Sequence, residues 1–411
     1  VGDDAFFKSL EYYLKTNAFR AVEIHHLRLA FEEVTGRDLN WFFNQWFMNS
    51  GHPNITYHYI YQDDTVKVVA EQEQNTKNGY IFKLPLTVGI WDSSRTLFYD
   101  FSFEKKSDTF KIPFRGRPVL VDADVERILL CSRKDAKSLQ EYIFQYKHHP
   151  NFTAKLEALQ RLKEVQKDSP EARDVLLNAL NDTFYFFRKF AVESCYFSGA
   201  DSSYLVDKLK NMALHDRNAS VRTAAIQKIS RVKDPSLKAF FIQCLNDSSY
   251  AATAEALKAI NSLDTSLAME LCKRFENENN LEINDAVFSV YANSNSSKYN
   301  EFFTKKFSST KGYAKYILMY HYANYLGNMD KNIVLGGIET LKNHSLVGDT
   351  RLLLSAGKGA LRRIVKQFEE KKKQVVSDSS SSTASDYETI IYAANEALNA
   401  LNKKNNEEKR N

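Results

Sequence analysis

Cysteine is scarce in this sequence: the four among 411 residues, Cys131, Cys195, Cys244 and Cys272, stand far apart, and none forms a C-x-x-C pair. Three fall within helical apolar patterns, and the set is expected as buried free thiols acting as small hydrophobes. Long apolar runs are missing too. No stretch reaches the ~18 residues that a membrane-crossing helix needs, so no span is expected. The opening Val1-Gly2-Asp3-Asp4-Ala5-Phe6-Phe7 has neither the basic start nor the cleavage site of a signal peptide. It lacks Met and begins in mid-pattern, which reads as a fragment or a processed product and leaves the compartment unknown. Nor does one charge prevail: 56 Lys and Arg face 51 Asp and Glu, and the net +5 is thinly spread, with no Lys/Arg block interleaved with aromatics. A nucleic-acid partner is therefore not expected.

What is present is ordinary globular material, 43% hydrophobic and 26% charged, in a chain long enough for two or three domains. Residues 1–53 read as helices, from the three- and four-residue spacing of Phe6, Phe7, Leu10, Tyr13 and Leu14 and of Ile24, Leu27, Phe31 and Val34. Gly36 is the expected C-cap of the second helix, and Asp38 the N-cap of an aromatic helix from Leu39 to Phe47. Gly51 and Pro53 close the region. From 54 to 133 the period falls to two, as in Ile55, Tyr57, Tyr59 and Tyr61, and then Val66, Val68 and Ala70. Further short strands are expected at Tyr80–Leu84, Leu86–Trp91, Leu97–Phe103, Thr109–Ile112, Val119–Val121 and Ile128–Cys131, together an antiparallel β-sandwich.

From 134 to 402 the pattern is helical and repetitive. Leu180-Asn181-Asp182, Leu214-His215-Asp216 and Leu245-Asn246-Asp247 recur, and six residues after the first two Asp come Arg188 and Arg222. This resembles the HEAT-type hairpin, whose turn Asp and second-helix Arg form a polar ladder between stacked units. The third unit has Thr253 where Arg is expected. Residues 372–386, with Lys371-Lys372-Lys373 and the serine run, read as a mobile loop, Tyr387–Leu401 as a last helix, and 403–411 as a frayed tail.

Catalytic signatures are absent. No H-E-x-x-H occurs, and in the nearest accumulation, Glu23, His25, His26, Glu32 and Glu33, adjacent histidines point about 100° apart on a helix and do not chelate one ion as a pair. That cluster and His148-His149 are expected on solvated or interdomain surface. No G-x-S-x-G elbow appears; Gly357-Lys358-Gly359 reads as a packing contact in a helix pair, and Arg115-Gly116-Arg117-Pro118 as a turn.

The stretch Leu27–Gly36 with Asp38-Leu39, Phe42-Phe43, Gln45-Trp46 and Ser50-Gly51-His52-Pro53 is similar to the segment that ends the catalytic domain of the aminopeptidase N family of zinc metallopeptidases. Gly2 to Leu14 resembles the helix after that family's catalytic tyrosine, and Gln72, Gln74 and Leu84-Pro85-Leu86 follow in the expected order. The resemblance implies the helical end of a thermolysin-like catalytic domain, a β-sandwich and a HEAT-like α-solenoid: a mainly α fold with a small all-β domain. It implies that zinc, the general-base Glu and the substrate motif belong to the parent enzyme upstream, so that this chain binds no zinc and carries no catalytic or metal residue. Trp41, Phe42, Phe43, Gln45, Trp46, Gly51 and Pro53 carry over as structural motif residues, expected to hold the helices against the sandwich. Asp182, Arg188, Asp216, Arg222 and Asp247 are the expected ladder.

The expected function is then support of an aminopeptidase acting on peptides, with the concave face of 150–371 limiting substrate access. The alternatives are a catalytically dead relative that binds peptides or proteins, and an unrelated HEAT-type scaffold. Expected partners are the upstream catalytic domain and, through the truncated face of 1–53, a second copy of the chain.

Overall fold

The computed structural model describes residues 1–75, 79–197, 202–347, 351–376 and 381–408. The chain is mainly helical with two small sheets, and it divides into two compact units, Val1–Leu176 and Leu177–Asn411.

The first unit opens with α1 (Asp3–Thr16), α2 (Ile24–Thr35) and α3 (Asn40–Phe43), the last widening into a π-helical turn, Asn44–Met48. Glu23 and His26 cap the start of α2 reciprocally, and Gly36 ends it at φ +65°, where a side chain would be strained. Asp38 Oδ1 accepts the Asn40 amide at 2.9 Å and so fastens the start of α3. Phe31, Leu39 and Phe43 form the small core of these helices.

Among the described residues seven strands follow: β1 (Asn54–Gln62), β2 (Thr65–Gln72), β3 (Leu84–Trp91), β4 (Thr96–Phe103), β5 (Ser107–Pro113), β6 (Leu120–Ala123) and β7 (Ser132–Ala136). They form one sheet of order β5-β2-β1-β7 and another of order β4-β3-β6, facing each other across a single core that includes Ile55, Tyr57, Val68, Val88, Phe103 and Val121. The alternation expected from period two is plain in β2, whose residues are buried at every second position.

Three expectations are corrected here. The set is not wholly antiparallel, because β7 runs parallel to β1, Asn54 pairing with Ser132 and His58 with Ala136. Ile128–Cys131 is not a strand: Ile128 and Leu130 are exposed, and the strand begins at Ser132, where buried Arg133 and Asp135 disguise it. Tyr80–Lys83 is not a strand either, since side-chain amides take the place of a neighbouring backbone. Gln72 Oε1 accepts the Phe82 amide at 2.9 Å while its Nε2 donates to the Phe82 carbonyl at 2.8 Å; Gln45 treats Lys83 in the same way, at 2.7 and 3.1 Å. Gln45 thereby ties the helices to the sheets.

After the strands come α4 (Leu139–His148), α5 (Phe152–Val165) and α6 (Pro170–Ala179), within which the unit boundary falls. The second unit contains α7 (Tyr185–Ser194), α8 (Ser202–His215), α9 (Ala219–Ser230), α10 (Lys238–Cys244), α11 (Tyr250–Leu263), α12 (Thr265–Cys272), α13 (Leu281–Ala292), α14 (Asn300–Ser309), α15 (Gly312–Leu326), α16 (Lys331–Leu346), α17 (Arg351–Val376) and α18 (Ser381–Glu408). A Cβ on Gly357 would lie 1.8 Å from Ser345 Oγ, so the glycine lets α17 approach α16; Gly359 faces open space.

Of the expected loop at 372–386, residues 372–376 and 381–386 are helical, and residues 377–380 lie outside the described ones. α17 continues to Val376 and α18 starts at Ser381, because Lys372 pairs with Glu388 at 2.6 Å and Phe368 packs on Tyr387 at 5.5 Å, holding the two helices antiparallel. Helix also reaches Glu408 in the expected tail; residues 409–411 lie outside the described ones.

Replacing Gln72 by Leu keeps the bulk but strands the amide and carbonyl of buried Phe82. The expected loss is on the order of 2–4 kcal/mol in denaturant unfolding; a loss below about 0.5 kcal/mol would show that the segment does not depend on the amide clamp.

Candidate functional site

The motif residues near the chain start part company. Phe43 is buried in the helical core, and Trp46 packs on Phe82 at 5.4 Å between ring centroids. Gly51 turns the chain at φ +89°, and Pro53 is buried with its carbonyl accepting the Ser132 amide. Trp41 and Phe42, expected to pack against the sheets, are instead 40% and 38% exposed, Lys83 lying over the Trp41 ring. Gln45 and Trp46 make the buried part of the junction. The Glu23/His25/His26/Glu32/Glu33 cluster gathers no metal geometry: His26 Nδ1 accepts the Glu23 amide, and Glu32 joins Arg28 and the Leu39 amide. Among the described residues no group of three His, Cys, Asp or Glu is placed to hold a metal ion. Gly116 makes the turn at 115–118, with φ +91°. Burial pushes the thiols of Cys131 and Cys244 up, to about 11 and about 12; Cys131 is only partly buried.

The ladder residues do meet. Arg188 grips Asp216 with two bonds of 2.7 and 2.8 Å, and Arg222 grips Asp247 with two of 2.7 Å. Each Arg also donates to a carbonyl at its own turn, that of Asp182 or Asp216, at 2.9 Å. Thr253 reaches the corresponding Asp247 carbonyl at 3.3 Å but is too short to extend further, so the ladder stops there. Asp182 Oδ1 accepts the Phe184 amide at 2.8 Å.

The first unit also holds a buried charge cluster that the sequence reading did not single out. Asp122 on β6 is fully buried. Arg127 donates to both its oxygens at 2.7 and 3.1 Å, Lys137 donates to Oδ1, and Arg133 stands 3.5 Å away. His149, expected at the surface, is buried with Nε2 3.2 Å from Asp122 Oδ2. Arg127 also holds Glu157 of α5, Arg133 holds Asp135 at 2.6 and 2.9 Å, and Lys137 reaches Gln145 of α4. Burial alone would raise the Asp122 carboxyl, but Lys137 and Arg127 keep it well below the ordinary range. Asp124 behaves oppositely: burial outweighs Arg133 and Arg127 and pushes it up to about 6. The only legible signals were charges at 122 and 124 and at 133, 135 and 137, spaced as on strands. With its charges paired inside the protein, the cluster fixes β6, β7, α4 and α5 to one another and offers nothing to a ligand.

An open surface for a ligand lies in the second unit. The second helices of successive pairs, α7, α9, α11, α13 and α15, pack side by side, and along their free face run two adjoining recesses of 340 and 230 Å³ that share Thr223 and Ala251. Small side chains such as Ala219, Ser220, Thr223 and Ala251 leave the groove open. Lys189 and Glu193 line the larger recess; Glu255, Lys258, Glu282 and Asp285 line the smaller, between Leu281 and Ile317. His321 Nε2 lies 2.9 Å and Lys258 Nζ 2.8 Å from Asp285, and together they hold its carboxyl down to about 2.

No family model matches the chain, and no curated protein matches it in sequence. Solved structures do match. Aminopeptidase A of Legionella pneumophila, solved in complex with aspartic acid, superposes with a TM-score of 0.57 at 14% identity, over 97% of this chain and 55% of that one. The chain thus has an aminopeptidase-like fold and spans about half the length of that protein. Two others are too distant to carry an argument: the CpcE–CpcF complex of phycocyanin lyase from Nostoc sp. PCC7120 (TM-score 0.34, 16% identity, 56% of this chain and 95% of that one) and Escherichia coli YibA (0.42, 14%, 62% and 91%).

A double-mutant cycle of Arg222→Ala and Asp247→Ala is expected to give a coupling of about 1–3 kcal/mol in urea unfolding; additive losses would reduce the ladder to two independent side chains. The Asp124 carboxyl, titrating near 6 in the fold against about 3.9 unfolded, contributes stability that is complete below about pH 4 and lost as pH rises through 6. Asp124→Asn keeps an acceptor for the Ile128 amide and tolerates the left-handed backbone. It is expected to match the parent near pH 4 and to exceed it by on the order of 1–2 kcal/mol near pH 8. Thermal unfolding at both pH values measures this, and parallel pH profiles would refute it.

Proposed function

We propose that this chain is the non-catalytic supporting part of a zinc-dependent aminopeptidase-like protein that removes amino-terminal residues from peptides, and that its helical unit limits which peptides reach the catalytic centre. The observation that carries the reading is the fold likeness to Legionella aminopeptidase A, which takes in nearly all of this chain but little more than half of that protein. On this reading residues 1–53 are the closing helices of a thermolysin-like catalytic domain, the facing sheets are a β-sandwich, and the helix pairs beyond are a HEAT-like solenoid.

Exposed apolar side chains on the first helices support it: Phe7, Leu14, Leu29, Trp41, Phe47 and Met48 are each 40–67% exposed, a density expected where more protein is to be covered. Upstream chain of the same polypeptide is the proposed occupant, and a second copy is the other that fits. The Arg188–Asp216 and Arg222–Asp247 pairs support the solenoid, and the groove along α7 to α15 supplies the surface for peptide handling. Zinc and its ligands would belong to the upstream part.

Hydrolysis of chromogenic aminoacyl substrates with added zinc, by this chain and by the polypeptide extended upstream, tests the proposal. Activity is expected only in the extended polypeptide. Activity in this chain alone would overturn the assignment, and none in either would favour a catalytically dead peptide-binding relative.

A further inference from the structure

The two recesses of the groove differ in charge. In the larger, Lys189 and Glu193 pair with each other and cancel. In the smaller, three carboxylates, Glu255, Glu282 and Asp285, face one cation, Lys258, whose charge is already shared between Asp285 at 2.8 Å and Glu255 at 3.3 Å. Glu282 is exposed and has no ion-pair partner among the described residues. The recess is therefore short of positive charge at a place where water and ligand have access.

Its walls suit a long cationic side chain. Leu281 and Ile317 provide apolar surface for methylene groups beside the carboxylates. Its volume, 230 Å³, is below the ~300–1,000 Å³ of sites for drug-sized ligands and is on the scale of one side chain. On α15, Tyr313, Tyr316 and Tyr320 share the exposed face with Ile317 at helical spacing. That face already carries a guanidinium, because Arg363 of α17 lies 4.3 Å from the Tyr320 ring centroid, within cation–π range. Carboxylates beside a methylene-packing wall complement lysine and arginine and disfavour acidic side chains.

We infer that the recess between α11, α13 and α15 docks a lysine or arginine side chain of an extended peptide lying along the groove. The inference rests on the peptide-handling reading above and specifies the peptides that the groove selects. Glu282 is the principal charge partner, since it alone of the three carboxylates is uncommitted; Asp285 and Glu255 contribute through the Lys258 they share.

The test is fluorescence anisotropy of the full chain with a labelled short peptide carrying one lysine, against the same peptide with norleucine or glutamate in its place. The lysine peptide is expected to bind about five- to tenfold more tightly than the norleucine peptide, and the preference is expected to fall as salt is raised. Glu282→Gln, at an exposed and unpaired position, is expected to remove most of that preference with the fold intact by circular dichroism, and Glu282→Lys to reverse it. Equal affinity for lysine and norleucine peptides, no binding of either, or a preference unchanged in Glu282→Lys would each overturn the inference. Any of these results beside retained aminopeptidase activity in the upstream-extended polypeptide would leave the proposed function standing without this specificity. A lysine preference beside no activity would uphold the docking site in a peptide-binding relative.

Discussion

A carboxylate removed from water persists as an anion only if cations are built around it, and Asp122 is the point where the first unit meets that demand. Arg127, Arg133 and Lys137 come from the turn after β6, from β7 and from the residue just after β7, and each has a further partner: Glu157, Asp135 and Gln145. To satisfy one buried charge the chain must bring together two sheet edges and two helices. Swapping such a cluster for apolar residues of equal volume is often no less stable, so its value is geometric. The parallel placement of β7 beside β1 follows, because Arg133 and Asp135 must point inward at Asp122 and Tyr59.

The second unit solves a similar problem with less burial. Arg188 and Arg222 remain partly solvated, and each joins two successive helix pairs while closing its own turn. Helices fastened in this way can leave a neighbouring face unfilled, and the groove with its small side chains lies there. Polar links and an open surface are features of one construction: stacking energy comes from the apolar interior between the helices, which frees the second helices to present Glu255, Glu282 and Tyr316 outward.

Much of this was readable from residue order. Period two located six of the seven strands, and the Asp-then-Arg spacing located the ladder, including its lapse at Thr253. What escaped shares one cause: polar side chains in roles that pattern assigns to backbone or to apolar residues. Gln72 and Gln45 serve as surrogate strands for residues 82 and 83, so a stretch with strand-like composition, Tyr80–Lys83, has no strand neighbour. Arg133 and Asp135 are charged and buried, which hid β7 behind a surface-like pattern. His149 reads as surface because its partner Asp122 is 27 positions earlier in sequence. The serine-rich stretch lacks apolar period, yet Lys372–Glu388 and Phe368–Tyr387 carry helix almost to its centre. The groove was unreadable for a different reason: it is an absence of bulk, distributed over five helices.

The ladder has a mechanical side as well. Apolar contacts between neighbouring helices are non-directional and tolerate small slides, whereas a bidentate Arg–carboxylate bond is planar and fails when displaced by about an ångström. Arg188–Asp216 and Arg222–Asp247 therefore set the pitch of the stack over its first three hairpins. Beyond Asp247, where Thr253 cannot reach onward, the links between successive pairs are single contacts such as Lys258–Asp285 and His321–Asp285, and the stack passes there from a geared segment to a more compliant one.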